Sequence, residues 1–354
     1  MNLHFLSNGT NPPTMRDGVV LALAAAPLVA ATCALSLTCQ AEEGVVCHGY
    51  LAHPTLTLHV LVFGTYVLGF WAHSLRAGST WLLDAARPLL PLTVQLYYAT
   101  HPRALHSNRM LVAAALVVMW AIRLFRAHGR RERWSLGARE DWRRADLREA
   151  FGPRWWPPAS LPTAFFAEQG AACARALPLR SLAGFAGAGI GFVDFSFPNE
   201  HVDDVPPLDA GAPLGLADAG ALVVALVGLG LAFKADEELL AYLRSDKKPP
   251  LYTEGLWRLC RHPNRLGEQL WWLALAAGAC AAQGGFCPTA LGPLIVALGD
   301  AWVDVPLLDR HLALRRDRIR AWMPYAEQVP PLWPTPGSIR RFFAPAAPAE
   351  KKGE

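Results

Sequence analysis

The chain reads as an all-α membrane protein, a multi-span transmembrane helical bundle, and three observations carry that reading. Of its 354 residues, 53% are hydrophobic and only 18% charged, with a mean hydropathy of +0.20. Apolar runs close to the roughly 20 residues that cross a bilayer recur along it. Positive charge gathers in a few loops, chiefly Arg123 to Arg148 and Arg244 to Arg265, as cytoplasmic loops require. A net charge of only +4 gives nucleic acid no field to follow. The 7 cysteines form no CxxC pair and no paired Cys/His spacing, which argues against a structural zinc site.

The apolar runs fall near 18–38, 56–73, 84–100, 108–126, 161–197, 213–235, 266–283 and 288–306. The stretch Val19 to Leu37 lacks the basic approach and small-residue cleavage site of a signal peptide, so it reads as a retained span. Both arginine-rich loops belong on the cytoplasmic side, so an even number of spans lies between them. The long run 161–197 then counts once. That gives about eight spans, both termini cytoplasmic, and the acidic loop Pro198 to Pro213 on the opposite side with Glu42 and Glu43.

The same topology puts Cys39, Cys47, Cys280 and Cys287 near the non-cytoplasmic side. Free thiols are expected there, with Cys39–Cys47 and Cys280–Cys287 as the pairs an oxidising compartment could bridge. The helix from Leu214 should run through Ala235-Asp236-Glu237-Glu238-Leu239 to Ser245, where Pro249 and Pro250 stop it. Residues 335–354 are a proline-rich tail expected to be disordered, above all past Pro345.

Charge at membrane depth is costly and usually faces a partner or a cavity. Asp84, Arg87, Glu168, Arg175, Asp236, Glu237, Asp300 and Asp304 all lie in or beside apolar runs. Asp84 and Arg87, three apart on a helix, can simply pair. The most chemical stretch is Gly255 to Trp272. Pro263 suits a first helical position, where its missing N–H costs nothing. From there Asn264, Glu268 and Trp272 share a helix face, close to Arg261, His262 and Arg265. Cations, an amide and a carboxylate meet at a helix N-terminus, which itself attracts anions. The plainer alternative is an ordinary membrane-flanking loop with its arginines.

These residues carry a family resemblance. Ala235-Asp236 with Leu239, Gly255-Leu256-Trp257-Arg258, Arg261-His262-Pro263-Asn264 and Gly267-Glu268 resemble the C-terminal domain of the steroid 5-alpha-reductase-like family, in its branch of uncharacterised multi-span membrane proteins. Arg139-Glu140-Asp141-Trp142-Arg143 resembles that branch's Glu-Asp-x-Arg-Tyr motif, and Pro306-Leu307-Leu308-Asp309 its Ile-Pro-Leu-Leu-Glu ending. Leu83-Asp84 to Pro91 and Tyr97-Tyr98-Ala99-Thr100-His101-Pro102 resemble its third-span motif. The likeness covers 79–334, with the cofactor-binding part at 235–334; residues 1–78 hold N-terminal spans outside it.

The resemblance implies an NADPH-dependent reductase of a carbon–carbon double bond in a steroid or other lipid, in the endoplasmic reticulum or another internal membrane. It places cofactor contacts at Asp236, Arg258, Arg261, His262, Asn264 and Glu268. Cations suit the phosphates, and the amide and carboxylates suit the carboxamide and riboses. The acid that completes the reduction is sought among Tyr97, Tyr98, Glu168 and Glu268. No GxGxxG follows a strand, so no soluble Rossmann domain is expected.

Three departures stand out. Ala85-Ala86-Arg87 replaces Pro-Tyr-Trp, and Arg144 and Arg265 stand where the branch has tyrosine. They fit an anionic substrate, a displaced cofactor phosphate or a chain that has lost activity. Two alternatives therefore stay open. Isoprenylcysteine carboxyl methyltransferases, which use S-adenosylmethionine, carry a similar Arg-His-Pro segment. A non-catalytic lipid-binding relative would keep the fold alone.

Overall fold

The computed structural model describes residues 15–41, 43–137, 139–185, 213–246, 249–315 and 317–344. Among them every regular element is a helix. Five helices are long and apolar enough to cross a bilayer: Gly18–Thr38, Pro54–Ala77, Asn108–Arg131, Leu216–Arg244 and Pro288–Ala313. The chain is an integral membrane protein.

The other three expected runs are helical but broken or more polar. The run at 84–100 divides into Trp81–Ala86 and Leu89–Thr100, separated at Arg87 and Pro88. That at 161–197 starts as a π-turn, Leu161–Phe166, continues as Ala167–Ala176, and restarts at Pro178. Its end, like the loop Pro198 to Pro213 up to residue 212, lies outside the described residues. The last is Pro263–Ala282, whose opening turns carry Arg265 and Glu268.

Local chemistry sets the boundaries. Ser107 caps the Asn108–Arg131 helix by accepting the Met110 N–H at 3.2 Å. That helix ends on two left-handed residues, Arg133 and Trp134, and the Trp134 ring lies where a Cβ on Gly129 would be. Asp141 caps Trp142–Ser160 through the Arg143 N–H at 2.9 Å. Pro263 opens its helix as the sequence expects. Two sequence expectations need correction. Cys39 and Cys47 are disulfide-bonded, while Cys280 and Cys287 are free. The tail contains a capped helix, Pro336–Phe343, and residues past 344 lie outside the described part.

Contacts divide the chain into two units. The first, Met1–Val223 with Trp272–Val296, has a core rich in buried aromatics, including Tyr50, Tyr66, Phe70, Tyr97, Tyr98 and Phe165. The second, Val224–Trp271 with Ala297–Glu354, has two smaller apolar clusters. One joins Cys260, Leu266, Val305 and Leu332; the other joins Trp322, Tyr325 and Val329. Burial pushes the Cys260 thiol up to about 12, so it behaves as an inert apolar group.

Candidate functional site

In the second unit, the Leu216–Arg244 and Pro263–Ala282 helices meet backbone to backbone. A Cβ on Gly228 would stand 2.7 Å from the Gly267 carbonyl oxygen and 2.8 Å from the Trp271 amide nitrogen. One on Gly267 would stand 2.5 Å from the Gly228 oxygen and 2.6 Å from the Ala232 nitrogen. Small residues at i and i+4 allow this approach between membrane helices. Gly228 and Ala232 form such a ridge, and Asp236 is its next member. The carboxylate therefore arrives beside the first turn of the facing helix, where Asn264 Nδ2 donates to Asp236 Oδ1 at 3.3 Å. Asn264 Oδ1 accepts the Arg265 N–H at 3.0 Å. Glu268 is half-buried one turn further along the Asn264 face.

The neighbouring cations are already engaged. Arg261 pairs with Asp309 at 2.9 Å, donates to the Ala326 carbonyl at 3.3 Å, and stacks over Trp322 at 5.4 Å. His262 Nε2 donates to the other Asp309 oxygen at 2.8 Å. Asp309 thus ties the Arg-His-Pro segment to the Val305–Ala313 helix. Tyr325 adds a bond from its hydroxyl to the Trp257 carbonyl at 2.8 Å, and burial raises its phenol above the ordinary range. Glu238 accepts the Leu256 N–H at 2.9 Å. Gly255 has φ +56°, a left-handed turn that favours glycine, and a Cβ there would stand 2.5 Å from the Glu238 carboxylate, which would have to shift.

Arg258 differs from its neighbours. It donates to two carbonyls, Arg341 at 2.5 Å and Ala344 at 3.3 Å, and has no carboxylate partner among the described residues. The donor set is thus of the type a dinucleotide takes: a half-buried carboxylate–amide–carboxylate face for polar ring groups, and a cation with no carboxylate partner among the described residues for a phosphate.

Arg265 is not such a cation. Its guanidinium lies 3.4 Å from Asp300 and 3.1 Å from Asp304, both on a π-turn, Asp300–Asp304. Arg144, in the first unit, repeats the arrangement. It is 3% exposed, pairs with Asp84, lies 3.3 Å from Glu168, and donates to Thr80 Oγ1 at 2.8 Å. Arg87 reaches the same two carboxylates at 3.6 and 3.8 Å, so the Asp84–Arg87 pair belongs to a larger network. Glu140 extends it by accepting the Thr80 N–H at 2.9 Å and pairing with Arg148 at 2.6 Å.

The remaining predicted acids lie in the first unit, and Glu168 belongs to the Arg144 network just described. Tyr97 donates to the Pro54 carbonyl at 2.7 Å, and Tyr98 to Thr55 Oγ1 at 3.4 Å. Thr55 also accepts from the buried Arg180 at 2.9 Å. Both phenols thus tie down the start of the Pro54–Ala77 helix. Sequence reasoning did not name Tyr325, and gave Glu238, Asp309 and Glu140 only as letters in a helical run or in motifs. Apart from Arg148, 8 residues from Glu140, the partners cited for them are 18 to 68 residues away, and no local pattern announces such pairings.

A family profile described as "Protein of unknown function (DUF1295)" matches residues 70–188 and 190–329, most of the chain. No curated protein and no solved structure matches it significantly.

Proposed function

The chain belongs to the DUF1295 family of proteins of unknown function, and from that premise we propose that it is an NADPH-dependent reductase of a carbon–carbon double bond in a steroid or other lipid. The observation that carries the reading is the Asp236–Asn264 contact, set by the Gly228–Gly267 crossing, with Glu268 on the same polar face. The motifs that build this face are those that resemble the steroid 5-alpha-reductase-like family.

When bound, NADPH supplies the hydride. Asn264 and Asp236 are suited to hold its amide and ribose hydroxyls, and Arg258 to hold a phosphate. Arg261 and His262 act through Asp309, fixing the turn that presents Asn264. Of the two carboxylic groups on this face, Asp236 is engaged by Asn264, and Glu268 can hold or deliver the proton that a double-bond reduction needs at the second carbon. Tyr97, Tyr98 and Glu168 are the acids proposed from the first unit. The cofactor face lies at the cytoplasmic surface of an internal membrane, with both termini on that side.

Thermal unfolding of the detergent-solubilised chain tests this reading. NADPH at one hundred times its Kd should stabilise by about 2.7 kcal/mol. Asn264→Ala and Glu268→Ala should each remove that shift without lowering the midpoint of the ligand-free protein by a comparable amount. Stabilisation by S-adenosylmethionine alone would replace the reading with a methyltransferase. Retained lipid with neither cofactor effect would leave a lipid-binding relative.

A further inference from the structure

We propose that the C-terminal helix, Pro336–Phe343, is an interfacial anchor that takes anionic phospholipid headgroups at the surface of the membrane the chain spans. Its start is fixed by reciprocal caps. Thr335 Oγ1 accepts the Ser338 N–H at 3.2 Å, Ser338 Oγ accepts the Thr335 N–H at 3.0 Å, and Pro336 takes a first-turn position. A helix this short is marginal alone. It is held from outside by Arg258, which donates to the Arg341 and Ala344 carbonyls, while Ser338 is fully buried.

The Gly255–Arg258 turn that holds it lies between the end of the Leu216–Arg244 span and the start of Pro263–Ala282. The Leu256 N–H bond to Glu238, in the last turns of the Leu216–Arg244 span, holds this turn at the span end, and the C-terminal helix is tethered there with it. Away from its buried Ser338 side, Ile339 and Phe343 fall one turn apart on one face, 43% and 79% exposed. Trp333, 47% exposed, precedes the helix. Arg340 and Arg341 are exposed beside this apolar stripe. Neither has a carboxylate partner among the described residues, and the Arg341 guanidinium donates to the Gln328 carbonyl.

An apolar stripe with an indole and uncompensated arginines matches a headgroup boundary. The rings enter the acyl edge, and each arginine near an anionic surface gains about 1 kcal/mol. An acidic protein could meet the arginines, but the tether beside a span end favours lipid.

The test uses the full chain in nanodiscs of phosphatidylcholine, with or without phosphatidylserine. A nitroxide is placed by Ala344→Cys in a Cys33→Ser, Cys280→Ser background, because the other thiols are buried or bridged. Collision with oxygen should exceed collision with a water-soluble nickel chelate, and more so with phosphatidylserine. Arg340→Gln with Arg341→Gln should remove the phosphatidylserine increment. Ile339→Ser with Phe343→Ser should bring the label into water in both lipids, with the unfolding midpoint kept. A label equally open to nickel in both lipid compositions would overturn the proposal, as would shielding that appears only on adding soluble protein. Neither outcome bears on the NADPH reading at Asp236, Asn264 and Glu268, and Arg258, which the two readings share, is unchanged in every variant used here.

Discussion

Arg144 and Arg265 stand where the resembling branch has tyrosine, and each guanidinium is clamped between two carboxylates. Removing one partner of a buried pair strands the rest. Arg144→Tyr should therefore cost about 3–5 kcal/mol, read as a lower unfolding midpoint in detergent. Arg265 is more exposed, and Arg265→Tyr should cost less, about 1–2 kcal/mol, while leaving the NADPH shift in place. Glu132 gives a pH-dependent counterpart. Burial pulls its carboxyl upward, but the bond and charge of Arg139 outweigh it and hold it below the ordinary range. Its contribution is present above the unfolded carboxylate pKa and fades as pH falls through the lower folded value. Arg139→Gln should destabilise by about 1 kcal/mol at neutral pH, the discount reflecting the half-exposed arginine. The gap from the unmodified chain should close under acid, as a pH series of unfolding midpoints would read. The sequence showed both arginines as departures from the family pattern. It did not show their roles, because Asp84, Glu168, Asp300 and Asp304 become partners only in the fold.

The close crossing of two helices organises the candidate site at the next scale. Gly267 has no room for a side chain: a Cβ would meet backbone atoms of Gly228 and Ala232, which cannot rotate away. Gly267→Val should force the helices apart, cost about 1–3 kcal/mol in unfolding free energy, and remove the NADPH shift by separating Asp236 from Asn264. Persistence of that shift at full size would mean that the crossing does not set the face. Helices with strong terminal signals were legible in the sequence. Pro263 starts one, and the Leu216–Arg244 helix ends one residue before the expected Ser245. Interrupted elements were less so. The 84–100 run is continuous in composition, but Arg87-Pro88 splits it. The Pro336–Phe343 helix was hidden because its cap pairs threonine with serine, not with glutamate or glutamine, in proline-rich surroundings.

Taken whole, the chain is an integral membrane protein of the DUF1295 family; its membrane character followed from apolar runs and basic loops, whereas the family comes from the profile match. The proposed topology, with the 39–47 segment on the non-cytoplasmic side, is compatible with the Cys39–Cys47 bridge. Composition could not foresee that the cations of the Gly255 to Trp272 stretch are largely spent within the protein. Arg261 and His262 share Asp309, Arg265 is held by two aspartates, and Arg258 has no carboxylate partner among the described residues. The proposed cofactor edge thus rests more on Asp236, Asn264 and Glu268 than on its arginines.

The central claim is that hydride passes from NADPH to a lipid double bond. Incubating the reconstituted protein with cofactor deuterated at the transferred position and a lipid extract, followed by mass spectrometry, tests it directly. The expected result is a saturated lipid product carrying one deuterium from the cofactor and one hydrogen from solvent, lost in Glu268→Ala. Unchanged lipids with no cofactor oxidised, or a methylated product formed from S-adenosylmethionine, would contradict it.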